Sequence, residues 1–345
     1  MSRPLTRKEP VRRIAVVSGG TSAEHDVSVA SAAAVEAALA RLGIAVVRLR
    51  IERDGRWSTR GRPLGPSQGA GLAAAIELLS EVDALYPMIH GAPGEDGALA
   101  ALAALAGIRL IGSPLTASAL TMDKELTKLV AAAHGVDVAP GRCYGAGELD
   151  AGIPFVRPVI VKPATAGSSH GVRLASTAAE LVEAIAEARR FGERVLVEQP
   201  VVGREIDVAV VRAADGGLLL PPPLEIHGEG VFDSATKYDG SARFTVPAAM
   251  DDAVARRLQE SARSLFELLG CDAIARFDFF VVPDGRLVLN EINTIPGMTA
   301  HSQVPRMFAA AGVSYDELIA AVVGVHRGPR DPSCPTFMKV GQLEA

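Results

Sequence analysis

The strongest chemical signal in this 345-residue sequence is a pair of acids, Asp278 and Glu291, on the two arms of an expected hairpin. Residues 275–282 alternate, Pro283-Asp284-Gly285 supplies a turn and residues 286–293 return; Asp-Gly between two such runs is a hairpin signature. A two-residue turn at Asp284-Gly285 puts Asp278 opposite Glu291 and Arg276 opposite Asn293, all on one face by the period of a strand. Directly opposed residues have Cβ atoms about 4.5–5.5 Å apart, where like charges repel unless something positive lies between them. Two carboxylates with the Asn293 amide oxygen, and no His or Cys nearby, suit Mg2+, which keeps waters and takes phosphate oxygens as its other ligands. The competing reading is a solvated hairpin face in which Arg276 neutralises one acid.

Further groups point to phosphate. Lys162 ends a buried-type strand at 159–161 and precedes Ala164-Thr165-Ala166-Gly167-Ser168-Ser169-His170-Gly171. Small residues let backbone N–H groups approach phosphate oxygens, and the lysine adds a point charge. The segment is no Walker loop, because GxxxxGK[ST] is absent, and by itself it reads equally as a turn. Lys124 and Lys237 could add charge from other parts of the chain, although a lone lysine reads equally as a solvated side chain. Glu198 and Glu205 flank a Pro-containing turn of the kind that joins subdomains around a nucleotide. Glu24 is either a ligand acid or the fourth residue of a Thr21-x-x-Glu24 capping box. His90-Gly91-Ala92-Pro93-Gly94-Glu95-Asp96-Gly97 follows a strand, where parallel sheets carry ligand loops. Asp96 there reads equally as an N-cap.

The elements that must position these groups fall into three units. Strands at 14–17, 45–51, 83–89 and 108–111 alternate with helices at 22–42 and 98–106, which predicts a doubly wound parallel sheet over residues 1–115. A helix at 122–134, the strand–loop–strand around Lys162, a helix opened by the capping box at Thr177 and a strand at 194–197 make an α+β unit over 116–200. A strand at 206–212, a polar Gly-rich loop at 228–241, a long helix at 252–269, the hairpin and a helix at 315–323 complete a unit over 201–328. The Pro-rich residues 329–345 read as a loose tail.

Composition narrows the class. The hydrophobic fraction of 48% with 22% charged residues is that of a folded protein. A net charge of −5 gives no general reason to bind nucleic acid. Cys143, Cys271 and Cys334 lie far apart, so no zinc site or disulfide framework is indicated, which suits a reducing compartment. The run at 98–107 is about half of the ~20 residues a membrane helix needs. The basic start at 3–13 leads into too short an apolar run for a signal peptide. The expectation is a cytoplasmic enzyme with neither a nucleic-acid nor a membrane partner.

Taken together, Gly19-Gly20-Thr21-Ser22-Ala23-Glu24, His90-Gly91 with Gly94-Glu95-Asp96-Gly97, Met122-Asp123-Lys124, Lys162-Pro163 with Gly167-Ser168-Ser169, Lys237-Tyr238, Arg276-Phe277-Asp278, and Asn290-Glu291-Ile292-Asn293 with Pro296-Gly297-Met298-Thr299 resemble the D-alanine–D-alanine ligase family. The motifs occur in that family's order over roughly residues 13–325. The resemblance implies an ATP-grasp fold behind an N-terminal Rossmann-like parallel-sheet domain, ATP and Mg2+ as cofactors (two ions, with Mn2+ an alternative), D-alanine as substrate and a homodimer. It also implies a reaction: ATP phosphorylates the carboxylate of one D-alanine, and the amine of a second displaces phosphate, for peptidoglycan precursor synthesis.

By that resemblance Lys124, Lys162, Ser169 and Lys237 serve the ATP phosphates, and Glu198 and Glu205 the adenosine end. Asp278, Glu291 and Asn293 hold the metal. Glu24 takes the ammonium of the first amino acid and connects through Ser168 to Tyr238, with His90 nearby; Arg276 and the Gly297 N–H hold the oxyanion; Ser302, next to Gln303, takes the acceptor carboxylate.

Departures fall where Gln303 replaces the family's usual Leu, where Phe232-Asp233-Ser234-Ala235-Thr236-Lys237-Tyr238 lacks an aromatic of the lid, where Thr165-Ala166 stand in place of charged residues, and where Ala98-Leu99-Ala100-Ala101 replaces a Gln-Gly pattern. Gln303 leaves a D-serine acceptor open, whereas Tyr238 argues for an amine over D-lactate. A nicotinamide dehydrogenase would need GxGxxG and an acid about 20 residues on, and neither spacing is met. A non-catalytic nucleotide-binding module would need neither a lid lysine nor a metal triad.

Overall fold

The computed structural model describes residues 11–227 and 243–325. Lys237, Tyr238, the lid segment at 232–238, Cys334 and the tail at 329–345 lie outside the described residues.

The N-terminal sheet has six strands, β1 (Arg13–Gly19), β2 (Ala45–Ile51), β3 (Trp57–Thr59), β4 (Arg62–Pro63), β5 (Ala84–Pro87) and β6 (Arg109–Leu110), in the order β4-β3-β2-β1-β5-β6. β2, β1, β5 and β6 run parallel, as the alternating pattern predicts, and α1 (His25–Arg41), α2 (Gln68–Leu79) and α3 (Ala98–Leu105) connect them. The antiparallel edge β3–β4 and helix α2 go beyond that expectation. Their segments are short or rich in Ala and Gly, and tertiary cover rather than pattern fixes them: Trp57 packs with Ala75 and Leu79 of α2 in one buried cluster.

The second sheet is antiparallel, in the order β10-β9-β11-β8, built from β8 (Gly141–Tyr144), β9 (Val159–Pro163), β10 (Arg173–Ala175) and β11 (Val195–Glu198). α7 (Ala178–Ala188), capped by Thr177 accepting from the Glu180 N–H, buries Leu181, Ala184 and Ala188 against it.

The third sheet contains β12 (Arg204–Arg212), β13 (Leu218–Leu219), β14 (Leu224–His227), β15 (Arg243–Thr245), β16 (Ile274–Val281) and β17 (Leu287–Asn293), with β7 (Asp137–Val138) at its edge, parallel to β17. One face packs on α8 (Asp252–Leu268) through Leu258, Leu265 and Phe266. The other packs on α9 (Gln303–Ala310) and α10 (Tyr315–Val323), whose buried residues join those of α1 and β1 in a single core cluster. That shared core ties the N-terminal domain to the hairpin. α4 (Leu115–Met122), α5 (Lys124–Ala133) and β7, expected with the unit at 116–200, lie against β17 and share this third sheet's core through Ala117 and Ala131.

Candidate active site

The hairpin carries Asp278 opposite Glu291 and Arg276 opposite Asn293, as expected, but for a reason the sequence hid. The turn spans three residues, Pro283 to Gly285, with Val281 paired to Leu287; that slips the register by one. An irregularity between Asp278 and Phe279 leaves Asn290 without a cross-strand partner and restores the pairing at the site. Such a bulge re-aims a side chain. Asn290 offers its Oδ1 to Lys162 Nζ at 3.1 Å, across from the other sheet.

Cations answer both acids. Arg276 grips Asp278 through two bonds of 2.7 Å, Nε to Oδ1 and Nη2 to Oδ2, and its Nε lies 3.5 Å from Asp207. Burial opposes the charged guanidinium, yet Asp278 and Asp207 outweigh it, so Arg276 stays protonated. Glu291 Oε2 lies 3.3 Å from Lys124 Nζ, which also donates to the Ala166 carbonyl at 2.6 Å. Asn293 Oδ1 accepts the Ile295 N–H at 2.9 Å. Lys124 opens α5, whose N-cap Asp123 takes the N–H groups of Glu125 and Leu126, so the cap sets where the lysine starts.

Glu24 does not play the capping-box part. It is itself the N-cap residue of α1, its side chain caps nothing, and its N–H goes to Ser22 Oγ at 3.2 Å; the Thr21-x-x-Glu24 capping box is not formed. The freed carboxylate accepts the Ser168 hydroxyl instead. Ser168 and Ser169 both have positive φ, 50° and 57°, a conformation costly for L-residues that persists only where surroundings impose it. A Cβ at Gly167 would lie 3.2 Å from Glu24 Oε2, so the glycine permits this approach. In the loop after β5, a Cβ at Gly94 would fall 2.1 Å from the Ile89 carbonyl oxygen, which restricts that position to glycine. Gly97, not Asp96, is the N-cap of α3, although Asp96 Oδ1 takes the Ala98 N–H at 2.9 Å.

These segments enclose a cavity of about 750 Å³ lined by Glu24, His90, Lys124, Ser168, Arg276, Glu291, Asn293, Gly297, Ser302 and Gln303 among others. Gln303 accepts from Arg276 Nη1 at 3.3 Å. Ser302 Oγ accepts the Thr299 N–H at 3.1 Å. Lys162 and Glu198 do not line the cavity; they form a buried cluster, with Lys162 Nζ 2.5 Å from Glu198 Oε1 and Lys128 Nζ on Oε2. Burial would raise Glu198, but Lys162 and Lys128 outweigh it and hold its carboxyl below the ordinary value. Burial, and then Lys162, pull Lys128 down to about 7. Sequence reasoning missed Lys128; its signal was the spacing of one helical turn from Lys124. Glu205 sits partly buried on β12, opposite Phe280, and Ser169 is also partly buried; neither lines the cavity.

Glu95 was not singled out as a ligand either. It lines the cavity, its Oε2 accepts the Gly91 N–H at 3.0 Å, and its buried Oε1 has no hydrogen-bond partner among the described residues. Burial, reinforced by the charge of Glu24, pushes its carboxyl up to about 8. A raised acid stabilises the fold fully below its unfolded value, and the contribution is lost as pH rises toward and through 8. Glu95→Gln therefore removes a downward slope of thermal stability between pH 5 and 8. Calorimetric midpoints of the two proteins, subtracted across that window, measure it; a flat difference disproves the shift.

Residues 13–113 match the family model described as D-ala D-ala ligase N-terminus, and residues 153–324 the model described as D-ala D-ala ligase C-terminus. The chain is 38% identical over 352 residues to a D-alanine–D-alanine ligase of Mycolicibacterium smegmatis, covering 90% of this chain and 94% of the relative. It is 36% identical to one from Rhodococcus jostii, over 94% of this chain and 97% of the relative. Among solved structures, the VanG D-Ala:D-Ser ligase from Enterococcus faecalis superposes with a TM-score of 0.76 at 30% identity, covering 91% of this chain and 99% of that one. The D-alanine–D-alanine ligase from Coxiella burnetii gives 0.74 at 27% identity, over 92% and 94%.

Proposed function

The chain belongs to the D-alanine–D-alanine ligase family, and from that premise we propose that it joins two D-alanines at the cavity described above while ATP becomes ADP and phosphate. The observation that carries the reading is the meeting in one cavity of an acid tied to the serine loop (Glu24–Ser168), a guanidinium (Arg276) and two oxygen ligands (Glu291 and Asn293).

The reaction develops negative charge twice, on phosphoryl transfer to the first carboxylate and in the tetrahedral intermediate when the second amine attacks. Glu24 is suited to the ammonium of the first D-alanine, beside His90. Ser302 and Gln303, which also line the cavity, suit the second carboxylate. Arg276, with the Gly297 N–H, offers fixed donors to the oxyanion, where preorganised dipoles lower the barrier most. Lys124, Lys162 and Ser169 serve the phosphates and Glu198 and Glu205 the adenosine end; Lys237 and Tyr238 complete the assignment from outside the described residues.

The donors are all oxygen, as a hard divalent ion takes: Glu291 and Asn293 line the cavity on one face of β17, and Asp278, directly opposite Glu291, lies behind the lining with both oxygens on Arg276. Bound there by Asp278, Glu291 and Asn293, one or two Mg2+ ions would offset charge on the nucleotide phosphates. The same reading makes the enzyme a cytoplasmic homodimer. The scattered cysteines support the compartment, and no helix among the described residues is long and apolar enough to cross a membrane.

The test is phosphate release with ATP, Mg2+ and D-alanine, with products weighed by mass spectrometry, repeated with D-serine or D-lactate added. The expected product is D-alanyl-D-alanine in large excess. Absence of D-alanine-dependent phosphate release refutes the reading, and a mixed dipeptide as main product refutes the acceptor.

A further inference from the structure

The loop that carries Gly297 is flanked by backbone anchors supplied from distant parts of the chain. Ser31, on α1 and fully buried, accepts the Met298 N–H at 3.2 Å. On the far side Tyr315, the first residue of α10, donates its hydroxyl to the Met298 carbonyl at 2.5 Å. His90 lies beside Ser31, its Nε2 3.3 Å from Ser31 Oγ. Next to Tyr315, Asp316 receives a two-pronged bond from Arg41 at the end of α1, which holds α1 and α10 in register.

Glycine has the widest backbone freedom of any residue, so the direction of the Gly297 N–H is set by what holds the chain on either side. Pro296 fixes its own φ, Asn293 Oδ1 holds the Ile295 N–H, and Met298 is gripped at both its N–H and its carbonyl. We propose that Ser31 and Tyr315 are positioning residues that fix the Gly297 N–H toward the oxyanion through the Met298 backbone. This rests on reading Gly297 as an oxyanion donor. Neither side chain lines the cavity, so neither is placed to touch substrate.

Removing either grip loosens the donor in the transition state while leaving the nucleotide contacts alone, and misplacement of a catalytic dipole is costly even when the group remains present. For Ser31→Ala and Tyr315→Phe the expected result is a kcat about tenfold lower, with the KM for ATP and the affinity for ADP within twofold of wild type. Affinity for a phosphinate isostere of the dipeptide, whose tetrahedral phosphorus mimics the intermediate, should fall by the same factor as kcat. Tyr315→Phe keeps the ring and answers the question should Ser31→Ala fail to fold. Unchanged kcat and phosphinate affinity overturn the proposal, as does a parallel loss of ADP affinity, the mark of general loosening. If wild-type enzyme turns over D-alanine but does not bind the phosphinate, the oxyanion reading falls and takes this inference with it.

Discussion

Glu291→Gln lowers D-alanine-dependent phosphate release by about a thousandfold or more, while the protein stays folded. The change swaps one carboxylate oxygen for an NH2 group of similar size, so packing on β17 is kept. What is lost is a full negative charge directly opposite Asp278, and a neutral amide is a far weaker ligand for a hard divalent cation. A thousandfold corresponds to about 4 kcal/mol of transition-state stabilisation, within what such an ion supplies on phosphoryl transfer. Stability responds differently. Lys124, itself buried, loses a charged partner 3.3 Å away but keeps the Ala166 carbonyl, and the loss is offset by relief of repulsion between neighbouring carboxylates. The thermal midpoint should therefore move by only a few degrees. Turnover at saturating Mg2+, beside far-UV circular dichroism melts, measures both; near-normal turnover in the folded variant removes Glu291 from the ligand set.

That prediction depends on a register that was legible in the sequence only in part. The alternation around Asp278 and the Asp-Gly turn signal located the hairpin, and the helices expected at 252–269 and 315–323 form at 252–268 and 315–323. The two-residue turn was wrong, and an unseen bulge at Asn290 compensated for it. Bulges leave no mark in a hydrophobic pattern, because one residue leaves the ladder without changing its chemistry.

Burial hid other features. Lys128 drew no notice in the sequence, but α5 turns it inward to Glu198, a contact 70 positions away in sequence. Glu24 shows the converse: its spacing fitted a cap, and only the serine loop arriving from another sheet shows that its carboxylate is engaged elsewhere. Local rules assign an acid to the nearest backbone; they do not see a partner supplied by a different domain.

Arg276 separates charge from geometry, and two substitutions should part the two. Arg276→Lys keeps a cation but cannot reproduce the planar fork that gives Asp278 two bonds of 2.7 Å while reaching Gln303 and Asp207. Its kcat/KM should fall by about 10²–10³-fold, the range seen when one preorganised oxyanion donor is lost, and its stability by about 1–2 kcal/mol, the scale of a charge-assisted hydrogen bond. Arg276→Met fills similar volume without charge. Asp278 and Asp207 are both buried, so two carboxylates would then lose the guanidinium that both face. Removing one partner of a buried ion pair costs about 3–5 kcal/mol, because the remaining charge loses its compensation. The methionine variant should therefore be much less stable than the lysine variant, yet no better as a catalyst. Urea-denaturation midpoints and initial rates of phosphate release, taken on the same preparations, give both axes. Equal destabilisation by Lys and Met would mean that the fork, not the charge, holds the buried acids. Full activity in Arg276→Lys would move the oxyanion donor elsewhere in the cavity.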